Sequence, residues 1–162
     1  MKTSVIKFFT GRTFFAFLGI LFVTSFAACK KSDNNSPATP SGKSAKFTFT
    51  VSGITNSDYV SFVAAGSTGT LNSNTAWKVN GVTRSNEEAI SFGNNDFANG
   101  TATYVIETAT PLLAMSIGIQ CLATSTHSYT ISYKAEVNGE VKQNEQNVTV
   151  SNTQDYTRNF SY

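Results

Sequence analysis

The sequence has 162 residues, 40% hydrophobic and 14% charged, with 12 Lys and Arg against 10 Asp and Glu. That length gives room for one domain and excludes a multidomain machine. Lys2, Lys7 and Arg12 lie in the first 28 residues, which hold no acid, so the remainder carries 9 basic against 10 acidic groups, net −1; it lacks the surplus positive charge that binds a phosphate backbone, and nucleic acid is not an expected partner.

Met1 to Arg12 is short and basic, and Thr13 to Ala28 follows as 16 uncharged residues rich in Phe, Leu and Ile. This is the layout of a secretory signal, so residues 1–28 read as a signal peptide. As a helix the apolar stretch would rise about 24 Å, short of the ~30 Å hydrocarbon core, which favours cleavage over a permanent span. The stretch Ser25-Phe26-Ala27-Ala28-Cys29 resembles the lipobox of bacterial lipoproteins; Ala27, Ala28 and Cys29 fit it, and Phe26 stands where Leu is usual. The resemblance implies that Cys29 is the lipidation site, diacylated on sulfur and, after cleavage, the palmitate-bearing N-terminus. Two or more acyl chains are what stable residence in a membrane requires. A soluble secreted protein is the alternative.

Lys30-Lys31-Ser32-Asp33-Asn34-Asn35 resembles the opening of lipoproteins from the Bacteroidetes group. That resemblance implies a lipid anchor in the outer membrane, with Lys30 rather than Asp after the Cys, and leaves the periplasmic or surface face open. Residues 29–44 hold no large apolar side chain after the Cys. Such a segment cannot offset its own ordering entropy, and a flexible polar tether is expected.

Residues 45–162 are the expected folded domain. Only Cys121 remains there, so the domain must hold together without an internal disulfide. Apolar residues recur with period two: Phe47, Phe49 and Val51; Trp77 and Val79; Leu113, Met115, Ile117, Ile119 and Cys121; Tyr129, Ile131, Tyr133, Ala135 and Val137. This predicts strands near 45–54, 58–65, 75–82, 88–93, 101–108, 112–123, 128–137, 140–150 and 154–161, and no long helix. At Asn138-Gly139 a two-residue turn would place Val141 on the polar face. A three-residue loop with Gly139 in the left-handed bulge position sets Ala135 opposite Val141 and is the expected hairpin. The following segment, polar on both faces, suits an edge strand. The whole predicts an all-β chain folded as a single antiparallel β-sandwich of immunoglobulin-like architecture, with a jelly roll as the alternative.

Few residues suggest chemistry. Gly42-Lys43-Ser44 ends like a phosphate loop, but Pro37 occupies the position of its first Gly. His127 is the only histidine, which rules out a histidine-based metal cluster, and it reads as a solvent-facing turn residue. The carboxylates are sparse and read as solubilising charges. The oxygen-rich run Asn94 to Thr101 invites a calcium reading, but aligning Gly100 with the sixth loop position puts Phe97 and Ile106 where oxygen ligands are needed. A plain turn is expected, with no metal and no cofactor beyond the covalent lipid. The Asn-x-Ser/Thr matches beginning at Asn99, Asn147 and Asn159 are chance in an Asn/Thr-rich chain.

Trp77, with Tyr59 and Tyr104, is the candidate sugar-stacking platform if exposed; large apolar area more often ends in the core. The function expected is a non-catalytic lipoprotein of the cell envelope with a binding role, carbohydrate first. The alternative is a structural or protein-interaction lipoprotein that pairs with an envelope protein. An enzyme is the reading these residues favour least.

Overall fold

Alternation of buried and exposed residues runs through nearly every strand of the computed structural model, which describes residues 41–162 apart from residues 72, 99 and 125. The signal segment, Cys29 and the tether as far as residue 40 lie outside the described residues. Ten strands form: β1 (Ala45–Ser52), β2 (Tyr59–Ser67), β3 (Trp77–Val79), β4 (Val82–Arg84), β5 (Ala89–Gly93), β6 (Thr101–Thr108), β7 (Ala114–Leu122), β8 (Ser128–Val137), β9 (Glu140–Ser151) and β10 (Tyr156–Ser161). One helical turn, α1 (Asn94–Phe97), follows β5. Six strands pair in the order β4-β3-β6-β1-β8-β9 and four in the order β10-β7-β2-β5, all antiparallel where paired. Both sheets stay open and pack face to face. The chain is the antiparallel β-sandwich that its period-two patterning predicts.

The inner faces meet in one aromatic-rich layer. Phe49 of β1 stacks on Phe62 of β2 with ring centroids 5.0 Å apart, bridging the two sheets. Tyr133 of β8 stacks at 5.2 Å on Phe160 of β10. Its hydroxyl lies 3.2 Å from that of Tyr162. Cys121 is fully buried and unpaired in this layer, and burial pushes its thiol up to about 12.

Three local features depart from the sequence expectation. The segment expected as one strand over 75–82 is a hairpin, β3 and β4, turning at Asn80-Gly81 with φ of 48° and 81°. Asn138 and Gly139 likewise take φ of 51° and 81°, and Val137 faces Glu140. This is a two-residue turn, so the expected three-residue loop is corrected. Two successive left-handed residues match the strand twist, and that preference outweighs the parity of one side chain. Val141 is left on the outer face, 52% exposed. Farther along the register shifts between Glu136 and Ala135, which sets Gln143 and Glu145 opposite the inward residues of β8, and again between Tyr133 and Ile131, which gives that place to Val148 and Val150; each shift adds a residue to β9. As expected, β9 lies at a sheet edge.

The fold also begins earlier than expected. Lys43, assigned to the tether, exchanges backbone hydrogen bonds with Leu112 at 2.7 and 2.9 Å, and the Ser44 N–H donates to Asn138 Oδ1 at 2.9 Å. The chain thus enters at the end of the sandwich carrying the 109–113 and 138–139 connections; residues 53–58, 94–98, 123–124 and 126–127 lie at the opposite end.

Trp77 lies wholly inside this entry end. Its ring packs against Phe47 at 6.1 Å and its indole N–H donates to the Glu88 carbonyl at 2.9 Å. Gly66 makes the room: a Cβ there would sit 2.8 Å from Trp77 Cζ2 and 2.5 Å from Leu112 Cδ1. Since Trp77 is the sole tryptophan, emission should be blue and resist acrylamide quenching. Gly66→Ala should cost about 1–3 kcal/mol in urea denaturation, as overpacked cores do, and an unchanged midpoint would show that the indole shifts freely.

Candidate functional site

The two outer faces differ in chemistry. On the six-stranded sheet the register aligns outward residues into rows across the strands. Thr101, Ser52, Thr130 and Thr149 form the row farthest from the chain entry, and Thr103, Thr50 and Ser132 form the next. The row nearest the entry is charged: Lys78, Glu107, Lys46 and Glu136 lie side by side on β3, β6, β1 and β8. Alternating signs across four strands are favourable cross-strand neighbours. On the four-stranded sheet the corresponding rows are Gly93, Ser61, Gln120 and Thr157; Ser91, Val63, Gly118 and Asn159; and Ala89, Ala65, Ser116 and Ser161.

The hydroxyl rows have the better-defined geometry. Ser52 and Thr101 Oγ atoms are 2.6 Å apart, Thr50 and Thr103 hydroxyls 2.9 Å, and Ser132 Oγ accepts from the Asn147 N–H at 2.9 Å. These contacts fix the rotamers while leaving capacity, since each hydroxyl has one donor and two acceptor positions and a pair consumes one donor and one acceptor. The backbone positions that carry them repeat at about 4.8 Å across strands and about 6.7 Å along them. A shallow polar depression of about 260 Å³ opens on this face, lined by Lys46, Thr48, Thr50, Ser132, Lys134, Glu136 and Gln146. Lys134 is engaged by Glu136 at 3.0 Å. The arrangement can hydrogen-bond a flat, polyhydroxylated ligand.

The three aromatics singled out from the sequence do not form a platform. Trp77 is in the core and is withdrawn as a stacking surface; inward parity on β3 and the gap at Gly66 put it there. Tyr104 faces inward at the rim, its ring 4.2 Å from that of Phe92 and its hydroxyl donating to the Asp96 carbonyl at 3.1 Å. Only Tyr59 is open to solvent, 45% exposed on the outer face of the other sheet.

A second cluster escaped the sequence reading. Asp58 precedes β2 and is 4% exposed, the one buried charged residue among those described. Its Oδ2 accepts from the Thr55 N–H at 2.8 Å and the Thr55 hydroxyl at 2.7 Å, and its Oδ1 accepts from the Thr124 N–H at 3.2 Å. His127 Nδ1 lies 2.7 Å from Oδ2, so the histidine is tied to a carboxylate rather than free in the turn. Burial pushes the Asp58 carboxyl up, but the Thr55 and Thr124 hydrogen bonds and the His127 imidazole outweigh it and hold it below the usual carboxylate range. The Asp58-x-x-Thr55 spacing is the one sequence signal that could have found this node, since Asp side chains commonly cap backbone N–H groups three residues away.

The oxygen-rich loop is occupied by its own chain. Asn94 Oδ1 accepts from the Val60 N–H at 2.6 Å, its Nδ2 donates to the Asp58 carbonyl, and Asp96 Oδ2 accepts from the Gly93 N–H at 2.8 Å. Among the described residues no group of three or more His, Cys, Asp or Glu side chains converges on a point that could hold a metal ion.

No family model matches the sequence, and no curated protein does. Solved structures share its fold. The calcium-bound form of a protein from Parabacteroides distasonis, determined by NMR, superposes with a TM-score of 0.57 over 81% of this chain and 99% of its own, at 13% identity. A DUF4425 family protein from Bacteroides ovatus gives 0.51 over 75% and 94%, at 13% identity. A DUF4425 domain of unknown function from Bacteroides vulgatus gives 0.51 over 76% and 95%, at 16% identity. At such identities the likeness concerns the fold.

Asp58→Asn should cost about 1–3 kcal/mol, because the amide keeps one acceptor oxygen and turns its NH2 donor toward either the Thr55 or the Thr124 N–H. A carboxyl held below its unfolded value near 3.9 stabilises the fold at neutral pH, and that contribution is lost as pH falls through the lowered native value. Acid titration followed by circular dichroism should therefore show a steeper loss below about pH 4 in the native chain than in Asp58→Asn.

Proposed function

We propose that the chain is a lipoprotein anchored through Cys29 in the outer membrane, non-catalytic, whose sandwich binds a polyhydroxylated ligand of the carbohydrate class on the hydroxyl rows of the six-stranded sheet. The observation that carries this reading is the placement of those rows. The Thr101-Ser52-Thr130-Thr149 and Thr103-Thr50-Ser132 rows lie toward the end opposite the chain entry at Lys43, whereas the charged row lies beside it. A tether of polar residues leading from Cys29 to that entry would turn the uncharged hydroxyl rows away from the bilayer. Sugar recognition by this surface rests on hydroxyls rather than on stacking, now that Trp77 is internal. Calcium forms no part of the proposal, although a fold neighbour was solved with it, because Asn94 Oδ1 and Asp96 Oδ2 are engaged by the backbone.

A second reading, a structural or protein-interaction lipoprotein of the envelope, draws on the other sheet. Its outward rows hold Ser, Ala, Gly, Val, Gln, Asn and Thr and no charge.

Cys29→Ser should abolish palmitate labelling and leave an unprocessed precursor on a denaturing gel; continued labelling would remove the anchor. For the ligand, Thr50→Val with Thr103→Val should weaken retention on envelope polysaccharides about tenfold or more in affinity electrophoresis, each lost hydroxyl being worth about 0.5–1.5 kcal/mol. Retention unaffected by this pair would remove the hydroxyl face as the site.

A further inference from the structure

Residues 41–162 hold seven basic against nine acidic side chains, yet one face of the fold is positive. The outward positions of β3, β6, β1 and β8 carry Lys78, Lys46 and Lys134 against Glu107 and Glu136. Three ammonium groups share two carboxylates. Glu136 is taken by Lys134 at 3.0 Å, and Glu107, which Lys46 faces from β1, is faced by Lys78 from β3. Lys46 belongs to no ion pair among the described residues.

That cation stands at one end of the shallow depression of about 260 Å³ between β1 and β8. Register sets Lys46 opposite Glu136, Thr48 opposite Lys134 and Thr50 opposite Ser132, so the lining grades from charge to hydroxyl along β1. Short Thr48, Thr50 and Ser132 form the floor between longer side chains. The backbone positions of Lys46 and Thr50 lie about 13 Å apart, at about 3.3 Å per residue. A neutral sugar would use only the hydroxyl end of this trough, whereas an anionic group on the same molecule would bring Lys46 into the contact as well. An ammonium is a point charge with three rotatable donors, equally suited to a carboxylate and to a sulfate ester.

We propose that the trough takes an acidic glycan, the Lys46 ammonium holding its carboxylate or sulfate while Thr48, Thr50 and Ser132 bond neighbouring sugar hydroxyls. The inference rests on the carbohydrate reading above and names the class of glycan. It is tested by affinity electrophoresis of the purified full chain in gels containing polygalacturonate or its carboxyl-reduced form, and κ-carrageenan or its desulfated form. At least one acidic polymer should retain the chain about fivefold more strongly than its neutral counterpart, the worth of one partly exposed ion pair. Which pair shows the excess identifies the anionic group. The excess should be present at about 0.01 M salt and lost at about 1 M. Lys46→Gln should abolish it, while Lys142→Gln, which removes the same charge outside the trough, should leave it in place; blue Trp77 emission checks the fold of both variants. Retention no stronger on the acidic polymer of either pair would overturn the inference and leave the carbohydrate reading standing. Retention on none of the four would overturn both, and an excess that survives Lys46→Gln would overturn the role of Lys46.

Discussion

With its single described thiol buried and unpaired, this sandwich has only the contact between its two inner faces to hold the sheets together. That contact is concentrated in aromatic rings. Phe49 reaches Phe62, and Tyr133 reaches Phe62 at 6.3 Å and Phe160 at 5.2 Å, so β1 and β8 of one sheet are locked to β2 and β10 of the other. Aromatic pairs contribute about 0.5–1.5 kcal/mol each beyond their buried area, and their edge and offset preferences restrict how the sheets may slide. The outer faces are left free to diverge, because nothing in the core depends on them.

They do diverge. One sheet turns outward a graded surface, charged near the chain entry and hydroxylated beyond it; the other turns outward small neutral side chains. Fold likeness to the Bacteroides and Parabacteroides proteins, at 13–16% identity, concerns the framework. The functional argument therefore stands on register. Cross-strand alignment converts a sequence that looks merely rich in Thr and Ser into rows with fixed spacing.

The architecture was legible in the sequence because alternation is a local signal and survives in every strand that has one buried face. Phe47-Phe49-Val51 and Tyr129 through Val137 occupy the positions their parity assigns. What was not legible depended on contacts distant along the chain. Trp77 is interior because Gly66, eleven residues earlier, vacates the space. Asp58 is buried because Thr124, 66 residues later, and His127 come from the loop that follows the neighbouring strand β7 at the same end of the sandwich. The hairpin at Asn138-Gly139 was misjudged for a different reason: parity was asked to choose the turn, but turn geometry prevailed, and of the two residues added in β9 the first reverses the parity and the second reverses it back. For the candidate site, Thr50 and Thr103 are 53 residues apart in sequence, and only the pairing of β1 with β6 makes them neighbours.

The chain enters its fold directly into β1, which is hydrogen-bonded along its length to β6 on one side and β8 on the other. A pull applied through Lys43 would act along that strand, while the ladder bonds run perpendicular to it. Such a load shears both ladders at once and is shared among all their bonds, instead of peeling them one at a time as happens when a terminal edge strand is drawn away. A domain leashed this way would keep its shape under the drag of a captured polymer, and mechanical failure would come late and all together.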